Sequence, residues 1–85
     1  MKQFNYVITD AIGIHARPAG MLVKEAKAFS SKITLGVNGK TVEATKLMAV
    51  MQLGVKNGME VLITAEGEDE DAAIVKMEAF MKENL

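Results

Sequence analysis

The chain has 85 residues, 49% of them hydrophobic and 25% charged, the mix of one small globular domain rather than a disordered segment. Ten Lys and Arg against eleven Asp and Glu leave a net charge of −1, with only three Phe and one Tyr, so the basic field and stacking rings of a broad nucleic-acid binder are missing. Cysteine is absent and His15 is the single histidine, which excludes a disulfide framework, a thiolate centre and a multi-histidine metal site.

The elements follow from changes in periodicity. Residues 2–9 alternate, with Phe4, Tyr6 and Ile8 on one face, and read as a half-buried strand. Residues 10–14 break it. A helical period takes over at 16–29, where Ala19, Leu22, Val23, Ala26 and Phe29 form one stripe. Pro18 sits in the first turn, where its missing N–H costs nothing, and Ser30 and Ser31 end the helix. Ile33, Leu35 and Val37 alternate again. Asn38-Gly39 signals a two-residue hairpin into a short partner strand at 40–44.

A brief helix is expected at about 46–53, with Leu47, Val50 and Met51 on one side and Gly54 in the left-handed position that stops it. Thr45 is its candidate N-cap. Asn57-Gly58 makes another turn, and Met59, Val61, Ile63 and Ala65 alternate in a fourth strand. The acidic stretch at 68–71 opens the last helix and suits the positive end of its dipole. It lacks the spaced ligands of a calcium loop, so no metal is expected there. Ala73, Ile74, Met77, Phe80 and Met81 form the buried stripe of that helix.

The order β-α-β-β-α-β-α predicts an α+β fold: an open-faced sandwich in one domain over 1–85, a four-stranded sheet covered on one side by three helices. The first crossover is expected to be right-handed, with room for another strand between its two strands. The opening MKQFNYVITD has no apolar stretch of signal-peptide length, and the longest unbroken apolar run is Leu47 to Met51. The expectation is a cytoplasmic protein without membrane insertion.

Chemistry concentrates at Gly13-Ile14-His15-Ala16-Arg17-Pro18-Ala19. His15 lies immediately before a helix, whose N-terminus offers unpaired N–H groups and about half a positive charge. The dipole and Arg17 both favour a neutral, nucleophilic ring. An anion carried on His15 meets donors from the first turn at Ala16 and Arg17, and the Arg17 guanidinium matches phosphate oxygens. These are parts for phosphoryl transfer. The alternative is that His15 merely caps a helix in a surface loop. No second acid or base is evident, so a carrier served by another protein fits better than a stand-alone enzyme.

These residues resemble the HPr family, the histidine-containing phosphocarriers of the bacterial sugar phosphotransferase system. The resemblance runs the whole length. It rests on GIHARPA at 13–19, NGK at 38–40, LMAVMQLGV at 47–55 and AEGEDEDAA at 65–73. It implies an antiparallel sheet and a covalent phosphohistidine at His15, with Nδ1 as the accepting atom and Arg17 assisting. It implies delivery from enzyme I, itself charged by phosphoenolpyruvate, and onward transfer to sugar-specific IIA proteins, with no cofactor. A monomer is the expectation, because one open site must serve two partners.

The family resemblance also assigns docking to the short helix and the opening turns of the first one, which here means Gly20, Met21, Leu47, Met48 and Met51. For Leu47 and Met51, core packing stays open as the alternative, because spacing alone does not say which face is buried. Met48 falls beside the stripe and is better placed for partners; its flexible thioether suits a shared surface. Lys24, Lys27 and Lys46 are either steering charges or ordinary solvated lysines.

Two positions depart from the family. Gly20 stands where members usually have Thr or Ala. Lys46, preceded by Thr45, stands where many Gram-positive members carry a serine phosphorylated by an ATP-dependent kinase, so that switch is expected to be absent. Two other readings stay open: a paralogue serving a nitrogen-related branch, and a small-molecule or RNA-binding αβ sandwich. The second wants a basic or aromatic sheet face, and none is evident.

Overall fold

A computed structural model describes all residues from 1 to 85. The strands are β1 (Lys2–Val7), β2 (Lys32–Val37), β3 (Lys40–Glu43) and β4 (Glu60–Glu66), and the helices are α1 (Ala16–Lys27), α2 (Leu47–Gln52) and α3 (Glu70–Asn84). They occur in the order read from the sequence.

The sheet runs β1-β4-β2-β3, antiparallel throughout. The last strand fills the space between the first two, pairing Phe4 with Ile63 on one side and Leu35 with Ile63 on the other. Alternation decides which face is covered. Ile33, Leu35 and Val37 of β2 and Val61, Ile63 and Ala65 of β4 are buried, while Thr34, Gly36, Leu62 and Thr64 between them remain partly exposed. Onto the apolar face pack Leu22 and Ala26 of α1, Val50 of α2, and Met77 and Met81 of α3, all fully buried. Unbranched methionine fills irregular gaps in so small a core.

The β2–β3 hairpin closes as expected. Asn38 and Gly39 both take positive φ, +51° and +81°, and Val37 pairs with Lys40 across the two-residue turn. Gly54 follows α2 at φ +71°, the left-handed position that ends it.

Element ends differ from expectation for reasons that lie far away in the chain. The first strand stops at Val7 rather than 9, because the N–H groups of Thr9 and Asp10 turn to the Leu85 carbonyl, at 2.6 and 2.8 Å. The first helix stops at Lys27 rather than 29. The N–H groups of Ser30 and Ser31 donate to the Asp69 carboxylate, each at 2.8 Å, and draw the chain off the helical path. Asp69 is thereby unavailable to α3. It occupies the N-cap position without capping, and Glu70 and Asp71 supply the acidic first turn. The fourth strand begins at Glu60, one residue later than expected, after a turn in which the Met59 N–H returns to the Lys56 carbonyl at 3.1 Å.

The cap of α2 is also corrected. Lys46, not Thr45, is the N-cap residue, and its carbonyl takes the Val50 N–H at 3.0 Å. The β-pairing extends through Ala44, whose N–H donates to the Ile33 carbonyl at 2.8 Å. A turn from Glu43 to Lys46 then consumes Thr45 before the helix can start. No helix is long and apolar enough to cross a membrane.

Candidate phosphoryl-acceptor site

The loop from Ile8 to His15 carries the site and is tied down on several sides. The Gly58 N–H donates to the Ile8 carbonyl at 2.9 Å, and the Asn57 amide reaches the carbonyls of Thr9 and Asp10 at 3.1 and 3.2 Å. The Ile14 N–H donates to the Val55 carbonyl at 3.0 Å. Gly13 makes that approach possible. Its φ is +89°, and a Cβ there would stand 2.6 Å from Lys56 Cα and against the Val55 carbonyl oxygen. The loop is therefore locked to the segment that follows α2.

Within the loop, Asp10 folds back on itself. Its Oδ2 accepts the N–H groups of Ile12 and Gly13, at 3.0 and 3.1 Å. This is the short-range turn that an Asp side chain makes with the backbone two and three residues on. The same oxygen lies 3.8 Å from His15 Nε2.

His15 takes an extended backbone, φ −114° and ψ −176°, at the N-cap of α1. Its carbonyl accepts the first helical bond, from Ala19 at 2.9 Å. Its side chain makes no capping bond and is 39% exposed. The bland alternative, a histidine engaged as a cap, does not describe this ring. Pro18 has no N–H to offer. The N–H groups of Ala16 and Arg17 lie ahead of the first helical bond and find no acceptor in the chain. Arg17 is exposed and takes part in none of the three ion pairs. Two unpaired backbone donors thus stand at the helix end that begins at the ring, and the Arg17 side chain beside them in the chain is held by no ion pair.

The expected docking residues all reach solvent. On α1 the core stripe is Ala19, Leu22, Val23 and Ala26, and Gly20 and Met21 lie off it on the exposed side. On α2 only Val50 is buried. At 100° per residue, Leu47, Met51 and Met48 lie about 60°, 100° and 160° round the helix from Val50. Their exposures are 41, 39 and 64%. The open alternative for Leu47 and Met51, core packing, is thereby decided against. The two helices pack on each other, so these residues belong to one region of the surface.

Sequence reasoning overlooked two residues. Ile12, 68% exposed, adds an apolar side chain to the site loop. Asp10 brings a carboxylate to a ring for which only positive neighbours were counted. The Asp-x-x-Gly spacing at 10–13 signals the side-chain-closed turn, but not the approach of that carboxylate to the ring.

Comparison with known proteins gives one answer. A family profile described as "PTS HPr component phosphorylation site" matches residues 2–83. The phosphocarrier protein HPr of Mycoplasma capricolum is 44% identical over 81 residues, which span 95% of this chain and 91% of that one. A solved Mycoplasma histidine-containing phosphocarrier protein superposes with a TM-score of 0.94 at 43% identity, covering 96% of this chain and 93% of its own. Crh, the catabolite repression protein of Bacillus subtilis, superposes with a TM-score of 0.79 at 39% identity over 100% of this chain and 98% of its own; it is described as a swapped dimer. A full-length match in sequence, joined to the same sheet and the same helices, establishes that the chain belongs to the HPr family of phosphocarriers of the phosphotransferase system.

Proposed function

We propose that His15 accepts a phosphoryl group on Nδ1 from phospho-enzyme I and passes it to IIA proteins of sugar permeases. The observation that carries this reading is the uncapped, half-exposed imidazole at the start of α1, with the Ala16 and Arg17 N–H groups unpaired beside it. In the accepting step the Nδ1 lone pair forms a bond to phosphorus. The bond from phosphorus to the donor breaks, and its electron pair leaves with the donor. The phosphoryl oxygens then meet the two N–H groups, the helix dipole and the Arg17 fork. Each exposed interaction of this sort contributes about 0.3–1 kcal/mol, enough to steady the group and too little to trap it.

The protein acts as a carrier rather than a stand-alone catalyst, since the partners supply the remaining catalytic groups. It works in the cytoplasm as a monomer. Donor and acceptor use the same exposed surface in turn, made by Gly20 and Met21 on α1 and by Leu47, Met48 and Met51 on α2. A swapped dimer like that described for Crh is the contrary outcome, and light scattering on the purified protein decides between them.

The functional test is incubation with phosphoenolpyruvate and enzyme I, followed by mass spectrometry under alkaline conditions. The wild-type protein gains one phosphate and His15→Ala gains none. Arg17→Lys keeps charge but loses the planar fork, and its transfer slows by about threefold to tenfold with an unchanged melting curve. Phosphate on the Ala variant refutes the assignment.

A further inference from the structure

We propose that Asp10 is a positioning residue for His15: its carboxylate keeps the ring proton on Nε2 and so leaves Nδ1 as the nucleophile. The inference rests on His15 being the phosphoryl acceptor. Its basis is one oxygen with two roles. Asp10 Oδ2 is fixed by the N–H groups of Ile12 and Gly13, at 3.0 and 3.1 Å, and from that fixed place it faces His15 Nε2 at 3.8 Å. The turn by itself needs only an oxygen, and Asn or Ser would close it. A carboxylate adds a charge that the turn does not require, aimed at the ring nitrogen that is not the acceptor. The imidazole makes no hydrogen bond within the chain, and Asp10 is the one carboxylate within 4 Å of it. At 3.8 Å the contact is electrostatic; one bridging water or a small side-chain rotation closes it, as such contacts do when a site is loaded.

The chemistry needs that proton in both directions. On the inbound step the Nδ1 lone pair bonds to phosphorus, and the donor takes back the electron pair of the bond that breaks. The ring now carries the phosphoryl group on Nδ1 and a proton on Nε2, and it is positively charged. Asp10 faces that charge. On the outbound step the Nδ1–phosphorus bond breaks and its electron pair returns to Nδ1. The ring departs as neutral imidazole, because the proton is still on Nε2. Without that proton it would have to leave as an anion, a far poorer leaving group. The ring orientation follows the general rule that the partner of one imidazole nitrogen sets the role of the other.

The test uses the whole protein labelled with 15N, before and after phosphorylation. In the wild type, long-range proton–nitrogen spectra are expected to show Nε2 as the protonated nitrogen of His15. Asp10→Asn keeps an oxygen for the turn and removes only the charge. Its melting temperature should stay within about 2 °C of the wild type. Its Nδ1–H form should gain population, and transfer to and from His15 should slow by about threefold or more. Asp10→Ala, which loses the turn as well, should show the same spectral change with a lower melting temperature. A wild-type ring protonated on Nδ1 overturns the inference, whatever the variants do. So does an Asp10→Asn protein with the wild-type nitrogen spectrum and rates. A wild-type protein phosphorylated at a residue other than His15 removes the functional reading instead, and peptide mapping tells the two failures apart.

Discussion

Asp69 binds Ser31 across 38 residues of sequence, accepting its N–H at 2.8 Å and its hydroxyl as well, and takes the Ser30 N–H with its second oxygen at 2.8 Å. One carboxylate thus staples the turn after α1 to the start of α3. Gly67 sits within the same junction. A Cβ there would stand 2.7 Å from Ser31 Cα, so the two segments touch backbone to backbone.

The Ser31 hydroxyl and the Ser30 N–H hold the Asp69 carboxyl below its ordinary value. A depressed acid contributes stability that is complete above the unfolded value, about 3.9, and is lost as pH falls through the folded value. The expected outcome is that the melting temperature falls with pH below about 4, and that Asp69→Asn flattens this part of the curve. Calorimetric melts from pH 6 down to pH 2 check it. Parallel curves for the two proteins remove Asp69 from the acid response.

Gly20 is exposed in the body of α1, and a Cβ there meets nothing within 4 Å. Its backbone is not in the left-handed region. Ala at this position restricts the unfolded chain without straining the folded one, so Gly20→Ala should stabilise the protein by about 0.5–1 kcal/mol. Urea unfolding measures the gain. The same substitution at Gly13, with φ +89° and no space for a Cβ, should destabilise instead.

These cases show where the chain was legible. Alternation marked β1, β2 and β4, the Asn38-Gly39 turn marked β3, and the 3.6-residue period marked α1 and α3, because each of these signals is set by near neighbours in the chain. The ends of α1 and β1 were not legible, since they are decided by Asp69 and by the Leu85 carbonyl, partners far along the chain. The six residues of α2 are too few for spacing alone to name a buried face, and the structure alone singles out Val50. His15 stood out as the only imidazole before a helix. Asp10 did not, because its approach to Nε2 depends on how the loop closes.

Met48 is the most exposed of the three apolar α2 residues and lies opposite Val50. An aspartate there places a charge in the middle of the proposed docking patch and disturbs no core contact. Met48→Asp should weaken binding to enzyme I and to a IIA protein alike, each by about tenfold or more, with little change in stability. Titration calorimetry against both partners is the measurement, and unchanged affinities would move Met48 outside the interface.

Lys46 is the N-cap of α2 without a side-chain capping bond. It offers no hydroxyl to an ATP-dependent serine kinase of the kind that the family resemblance implies for Gram-positive members. Incubation with such a kinase and ATP should leave the protein unmodified, while Lys46→Ser should accept at least partial phosphate. The serine also brings an N-cap oxygen and should stabilise α2 by roughly 0.5–1 kcal/mol. Peptide mapping over residues 41–56 reads the outcome. Stoichiometric phosphate on Thr45 in the wild type would restore the serine-type switch one residue earlier.

The sheet order has a consequence for how the protein is made. His15 is synthesised early, but the atoms that shape its loop come from Val55, Asn57, Gly58 and Leu85, and the strand that joins β1 to β2 is the last of the four. A nascent chain cut short before residue 55 carries the imidazole without the frame that orients it. Closing the loop waits on distant pairing, the slow class of contact in folding. On the proposed reading of His15, phosphorylation competence is therefore expected to arrive late, once β4 has slotted between its neighbours and Leu85 has reached Thr9 and Asp10, so that an unfinished chain offers a phosphoryl donor only an unpresented histidine.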